Sequence, residues 1–308
     1  MILLFRKKYV WAVIYSVFLI SFTIYLALDT FVISRVYTVV PSQEHSQESQ
    51  QIQEATDLSQ TDSTETVTDN SYYDENISIE LTQYRKYDTS IYVADVNVSS
   101  AQYLQTALAQ NSYGRNVTET TSQMAKNHDA ILAINGDYYG SQENGYVIRN
   151  GILYRSSASR DQEDLVIYED GSFGIILEEE ISADQLLEDG AMQVLSFGPA
   201  LLTDGMIAVS ENEEVGRAKA SNPRTAIGII DSCHYLFVVS DGRTEESEGL
   251  SLYQLSEFME ELGAIIAYNL DGGGSSTMYF NGEVVNHPTT DGRNITERSV
   301  SDIVYIGY

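Results

Sequence analysis

The chain holds a single cysteine, Cys233, among 308 residues. An exported domain of this sequence must stand without internal disulfides, which suits a bacterial surface better than a secreted animal protein. Basic residues are also scarce: 17 Lys and Arg face 45 Asp and Glu, a formal net charge of −28. Nucleic acid binding wants a basic face, so that class of partner is excluded. An anionic ligand would need specific arginines to collect it. No repeat of fixed period runs through the chain. No charge interrupts Val10 to Leu28, and no small-x-small cleavage site follows that run.

What is present divides the chain. The apolar run is long enough to cross a bilayer core as a helix, and Arg6-Lys7-Lys8 precede it. We read residues 1–9 as a cytoplasmic basic N-terminus, 10–33 as a transmembrane signal anchor, 34–76 as a disordered acidic tether and 77–308 as an ectodomain. This places a single-pass protein in the cell membrane with its C-terminal domain outside. The tether, "PSQEHSQESQQIQEATDLSQTDSTETVTDN", has almost nothing to bury. As a flexible coil it would hold the domain at roughly 30–36 Å.

The ectodomain reads as α+β: a mixed, strand-rich central sheet with flanking helices. Asn150-Gly151, Asp170-Gly171 and Asn281-Gly282 sit between alternating residues and predict hairpins. "LSLYQLSEFMEELGA" predicts a helix with Leu255, Phe258, Met259 and Leu262 on one face. Ser251 and Gln254 would form its capping box and Gly263 its left-handed end. Further helices are predicted over Ser100–Gln110 and Thr120–Asn127. "IIDSCHYLF" reads as two strands around a turn, which gives Cys233 no catalytic role.

One pattern occurs three times. "AILAINGDYYG", "YLFVVSDGR" and "AIIAYNLDGGGSS" are apolar strands ending in Asn135 and Asp137, in Asp241, and in Asn269 and Asp271. If the strand ends share one edge, three carboxylates converge there. Each Asp alone is as well explained by a turn. The run Gly272-Gly273-Gly274 precedes a hairpin rather than a helix, and no Lys follows it, so both nucleotide-loop motifs fail. Its bare backbone amides could still form an anion nest, with hydroxyls from Ser275, Ser276 and Thr277. Arg224 and Arg298 could complete an anion site. Ala226 and Gly228 share the face of Arg224, which predicts room above the sheet for a ligand.

The stretches "INGDYY", "FGPALLTDG", "NPRTAIGI", "SDGR", "AYNLDGGGSSTMYFNGEVVN" and "ERSVSDIVYIG" occur in an order that resembles phosphodiester glycosidase domains, over about 131–308. The resemblance implies hydrolysis of the bond between a sugar anomeric carbon and a phosphodiester oxygen, in a sugar-phosphate-containing glycan or glycolipid of the cell surface. For that chemistry we assign Arg224 and the loop Gly272–Ser276 to the phosphate, with Arg298 as a second cation and Asp271, Asp241 or Asp137 as nucleophile, base or sugar-hydroxyl ligand. Asp271 is preferred because it is locked to the glycine loop. Thr277, Asn135 and Asn269 would be polar neighbours, and His287 and Tyr139 receive no role. The resemblance brings no metal motif and no cofactor, although a divalent cation is left open. A carbohydrate- or wall-binding module, or an exopolysaccharide assembly protein, is the alternative; a neutral-glycan binder has no need of Arg224 and Arg298.

Overall fold

The computed structural model describes residues 9–40, 66–211 and 221–308. The apolar run forms a helix over Val10–Phe31, with none of its residues buried. At 1.5 Å per residue it is about 33 Å long, matched to a bilayer core of about 30 Å. Length and composition allow it to cross a membrane. The flank Arg6-Lys7-Lys8 lies outside the described residues.

The segment read as a tether is folded at both ends. Arg35–Val39 is a strand paired with Ser112–Arg115. Thr66–Val67 and Ser71–Tyr73 are strands at the edge of the main sheet. The end of the apolar helix is fastened to the domain as well. Asn116 Nδ2 donates to the carbonyls of Thr30 and Ile33, both at 3.2 Å, and Ser34 Oγ donates to the Asn116 carbonyl at 2.8 Å. Residues 41–65 lie outside the described residues, yet they join two strands of one domain. The expected spacer of roughly 30–36 Å therefore gives way to a direct junction. Polar local composition carries no trace of it, because the pairing partners are remote in sequence.

The remaining strands pair antiparallel throughout the described ladders, in three sheets rather than one mixed sheet. Nine strands form the largest, in spatial order Met206–Ile207, Ala200–Thr203, Ile266–Asn269, Arg224–Asp231, His234–Ser240, Thr89–Val98, Ile77–Lys86, Ser71–Tyr73 and Thr66–Val67. The second runs Glu283–Val284, Met278–Phe280, Leu132–Asn135, Asp302–Ile306 and Leu104–Leu108. The third runs Ile152–Arg155, Val147–Arg149, Ala191–Leu195, Glu163–Tyr168 and Phe173–Leu177. Alternation along His234–Ser240 explains its continuous apolar run. Tyr235, Phe237 and Val239 enter a core shared by all three sheets, while Leu236 and Val238 enter a second core with helix Leu252–Glu261.

That helix carries the expected capping box of Ser251 and Gln254, and Gly263 follows it at φ +89°. It also fills the room predicted above Ala226 and Gly228: a Cβ on Gly228 would stand 2.6 Å from Met259 Cε. The short helix Thr121–Asn127 is capped by Thr120. The helix expected over Ser100–Gln110 is instead a 3-10 turn, Ala101–Tyr103, and a strand, Leu104–Leu108, drawn into pairing with Asp302–Ile306. Tertiary pairing overrides the local Ala and Gln preference there. Asn150-Gly151 and Asn281-Gly282 turn their hairpins with both residues at positive φ; at Asp170-Gly171 only the glycine is so placed.

Candidate active site

Both Ile266–Asn269 and His234–Ser240 flank Arg224–Asp231 antiparallel, so the ends of two strands and the start of the third reach one edge. Arg224 stands opposite Ser240, and Ala226 opposite Asn269. Past Asn269 the chain leaves this sheet, forms the glycine loop and enters the second sheet as Met278–Phe280, beside Leu132–Asn135. Asn135, fully buried, stitches the crossover. Its Nδ2 donates to the Asp271 carbonyl at 2.6 Å, and its Oδ1 accepts from Thr225 Oγ1 at 2.8 Å and the Thr277 amide at 3.2 Å. Asn269 Nδ2 donates to the Gly198 carbonyl at 2.7 Å. Beneath the loop, Asn269 Oδ1, Ser276 Oγ and Thr277 Oγ1 are buried without a partner among the described residues.

Asp271 is gripped at one oxygen. Its Oδ2 accepts from Ser275 Oγ at 2.5 Å and from Arg298 Nη2 at 3.0 Å, while Arg298 Nε donates to Ser275 Oγ at 2.9 Å. A hydroxyl has one hydrogen, so Ser275 gives it to Asp271 and accepts from the guanidinium. Burial pushes the Asp271 carboxyl up, and the Arg298 charge opposes this most strongly. The Arg298 side chain is 42% exposed and can turn to a ligand.

The glycines have a structural reason. A Cβ on Gly272 would stand 2.9 Å from the Pro223 carbonyl, one on Gly273 2.8 Å from Arg243 Nη2, and one on Gly274 2.2 Å from Thr290 Oγ1. Gly273 also has φ +64°. The amides of Gly273, Ser275, Ser276 and Thr277 are bonded to Pro223, Gly272, Gly273 and Asn135. These four are not the free nest the sequence suggested; side chains supply the cationic surface. Arg243 packs on Gly273 and donates to Asn222 Oδ1 at 3.3 and 3.0 Å and to the Thr290 carbonyl at 2.7 Å. It has no carboxylate partner among the described residues. Burial and the charge of Arg298 both lower its pKa. Two guanidiniums thus flank one loop. Arg224 is buried behind Gly272, its Nε donating to the Leu250 carbonyl at 2.9 Å.

Asp241 holds a histidine. Its Oδ1 accepts from the His287 amide at 2.8 Å, and its Oδ2 lies 3.1 Å from His287 Nδ1 and accepts from Tyr92 Oη at 3.2 Å. The Asp241 side chain is 6% exposed and that of His287 64%, so the carboxylate orients an imidazole that faces solvent. Asn286 ties this pair to the loop: its Nδ2 donates to Asp241 Oδ1 at 3.3 Å and to the Ser276 carbonyl at 3.0 Å. Asp137 lies deeper. Its Oδ2 accepts from Arg149 at 2.7 Å and the Ser196 amide at 3.0 Å, and its Oδ1 accepts from the Tyr139 amide at 2.8 Å. Arg149 also donates to Asp302 Oδ2, at 2.9 and 2.7 Å. The carboxyl of Asp302 is pushed up to about 8 by burial and by the neighbouring Asp137.

A sequence profile of phosphodiester glycosidases matches residues 128–307. The chain belongs to the phosphodiester glycosidase family. It is 30% identical over 203 residues to the SPbeta prophage-derived protein YomE of Bacillus subtilis, covering 64% of this chain and 31% of that protein. It is 28% identical over 187 residues to human N-acetylglucosamine-1-phosphodiester alpha-N-acetylglucosaminidase, covering 55% of this chain and 36% of that protein. The chain therefore spans about a third of the length of these relatives. Its fold is similar to the pro-peptide-inhibited catalytic domain of the zebrafish N-acetylglucosamine-1-phosphodiester alpha-N-acetylglucosaminidase, with TM-score 0.60, 23% identity and coverage of 75% and 83%. A hypothetical protein from Synechocystis gives TM-score 0.53 at 14% identity, with coverage of 76% and 62%.

Within this phosphodiester glycosidase domain, the structure joins Asp271, Ser275, Arg298 and Asn135 directly, and links Asp241 to them through Asn286. It sets Asp137 in a buried ion-pair network. Sequence reasoning passed over Arg243, although it stands two residues beyond Asp241. It also gives no role to His287, which the structure pairs with Asp241. Asp302 stands at the head of the apolar run "IVYIG", where a charge reads equally well as a solvated strand start.

Proposed function

We propose that the chain is a membrane-anchored, extracytoplasmic hydrolase that cleaves the bond between a sugar anomeric carbon and a phosphodiester oxygen. Surface glycans or glycolipids with sugar–phosphate links are its substrate class. The carrying observation is the carboxylate of Asp271 held by Ser275 and Arg298, with Arg243 across Gly273 and lacking a carboxylate of its own among the described residues. Arg298 and Arg243 receive the phosphate in fork geometry and stabilise it as it leaves. A phosphate monoester departs far more readily than an alkoxide, so little protonation of the leaving oxygen is needed. Asp271 stands at the anomeric carbon. His287, oriented by Asp241 through Nδ1, accepts the proton of the attacking water at Nε2. Arg224, Asn135, Asn269, Ser276 and Thr277 hold the loop in shape, and Asp137 acts through Arg149 as a positioning group. Val10–Phe31 serves as the anchor.

The test is sugar release from UDP-N-acetylglucosamine and a panel of sugar-1-phosphodiesters by the full chain in detergent. Asp271→Asn and Arg298→Ala should each reduce kcat/KM by at least about 100-fold with the fold unchanged, the scale of losing an electrostatic or acid–base group. Absence of turnover together with tight binding of a wall glycan would replace the hydrolase by a carbohydrate-binding module.

A further inference from the structure

The strand Arg35–Val39 lines a cavity of about 310 Å³, which shares no lining residue with the glycine loop. That volume is at the lower end of small-molecule sites, about 300–1,000 Å³. Its walls include Arg35, Arg115 and Arg155, with the rings of Tyr37, Tyr113 and Tyr139. Three guanidiniums in one cavity are a large concentration in a chain with only 17 basic residues. Two are compensated: Arg35 pairs with Asp29, and Arg115 with Glu143 at 3.1 Å. Arg155 is not. Its Nε and Nη1 donate to the carbonyls of Gly145, Tyr139 and Gln142, and its Nη2 is buried with no partner among the described residues. A buried cationic nitrogen without an acceptor is costly, and an anion in the cavity would supply one.

The position of the cavity identifies the anion. Arg35 is four residues beyond the end of helix Val10–Phe31, and Asn116 and Ser34 fasten that helix end to the cavity wall. In a membrane the helix end marks the edge of the hydrocarbon core, and the headgroup layer beyond it is about 5–7 Å thick on each side. The cavity therefore borders the layer where lipid phosphates lie. We propose that it binds the phosphate-bearing headgroup of an anionic membrane lipid, with the guanidiniums on the phosphate and the tyrosine faces on the glycerol or sugar. The bound headgroup fixes the orientation of the domain on the bilayer. This inference rests on the anchor reading of the apolar helix.

The test uses the full chain in a neutral detergent, titrated calorimetrically with dihexanoylphosphatidylglycerol below its micellar concentration, dihexanoylphosphatidylcholine and inorganic phosphate. Saturable binding of the phosphatidylglycerol is expected, at least about tenfold tighter than the other two, the scale of one charge-assisted contact. Arg115→Gln, whose partner Glu143 is exposed, and Tyr37→Ala should each weaken it at least about tenfold while melting like the parent chain. Equal binding of both lipids, or binding indifferent to both variants, overturns the proposal. Phosphate binding as tightly as the lipid assigns the cavity to a free anion and overturns the lipid. The anchor is checked apart from this, by the mass of the chain recovered from membranes. An intact mass supports it, and loss of the segment through Phe31 overturns the anchor together with the lipid source.

Discussion

At the scale of single residues, Asp271 is poised by opposing effects. Burial raises its carboxyl and Arg298 resists, so removing the guanidinium should raise it further. If ionised Asp271 drives the reaction, the acid limb of kcat/KM against pH should move to higher pH in Arg298→Gln; an unmoved limb would place the titration elsewhere. A second carboxyl lies deeper. Asp164 is fully buried, neither of its oxygens accepts a hydrogen bond among the described residues, and burial with the adjacent Glu178 pushes it up to about 10. A folded-state pKa above the unfolded one stabilises below the unfolded value and loses that stability as pH rises toward 10. Asp164→Asn should therefore flatten the decline of the urea midpoint between about pH 4 and 10, the unfolded carboxylate value and the folded one. A midpoint that falls as steeply as in the parent would contradict a protonated Asp164. The sequence does not disclose this group, because "EDLVIY" looks like a strand with a solvated acidic start.

At the scale of elements, legibility followed local rules. Turn residues that need positive φ, the capping box of Leu252–Glu261 and the Thr120 cap are all written within four residues of where they act. The strand Leu104–Leu108 was hidden because its partner Asp302–Ile306 is some 200 residues away in the chain. The glycine loop was found by the same local reading, but its cause was not. Its glycines admit Pro223, Arg243 and Thr290, and only the folded chain brings these together. A paired substitution separates the two kinds of glycine. Gly282 has φ +98° with nothing near its missing Cβ, so Gly282→Ala should cost about 1 kcal/mol from backbone strain and leave activity intact. Gly274→Ala, facing Thr290 Oγ1 at 2.2 Å, should cost more, about 1–3 kcal/mol of overpacking, and depress kcat/KM by displacing the loop. Urea melts and rates of the two variants, measured side by side, check this; equal effects would deny the loop its tight seat.

For the whole molecule, the acidic stretch marks no boundary of the fold. Tyr72, in the strand Ser71–Tyr73, is buried in the main core, ahead of the domain start at residue 77 that composition suggests. A chain beginning at residue 77 should be less stable than one beginning at residue 66 by about 3 kcal/mol, the worth of one buried aromatic, or roughly 6–12 °C in Tm for a domain of this size. Indistinguishable melting curves would show that the edge strands add nothing. The apolar helix Val10–Phe31 was legible because a length and composition that allow a membrane crossing are displayed directly in the sequence. The junction between helix and domain was not, since it depends on Asn116 and on strand pairing. In the proposed function, two arginines and Asp271 direct cleavage to the sugar side of a phosphodiester. The most direct measurement is hydrolysis of a sugar-1-phosphodiester in oxygen-18 water by the full chain, with products weighed by mass spectrometry. The label should appear in the released sugar and be absent from the phosphate monoester, which marks attack at carbon. Label in the phosphate would mark attack at phosphorus, and the chain would then be a phosphodiesterase with no glycosidase chemistry at Asp271.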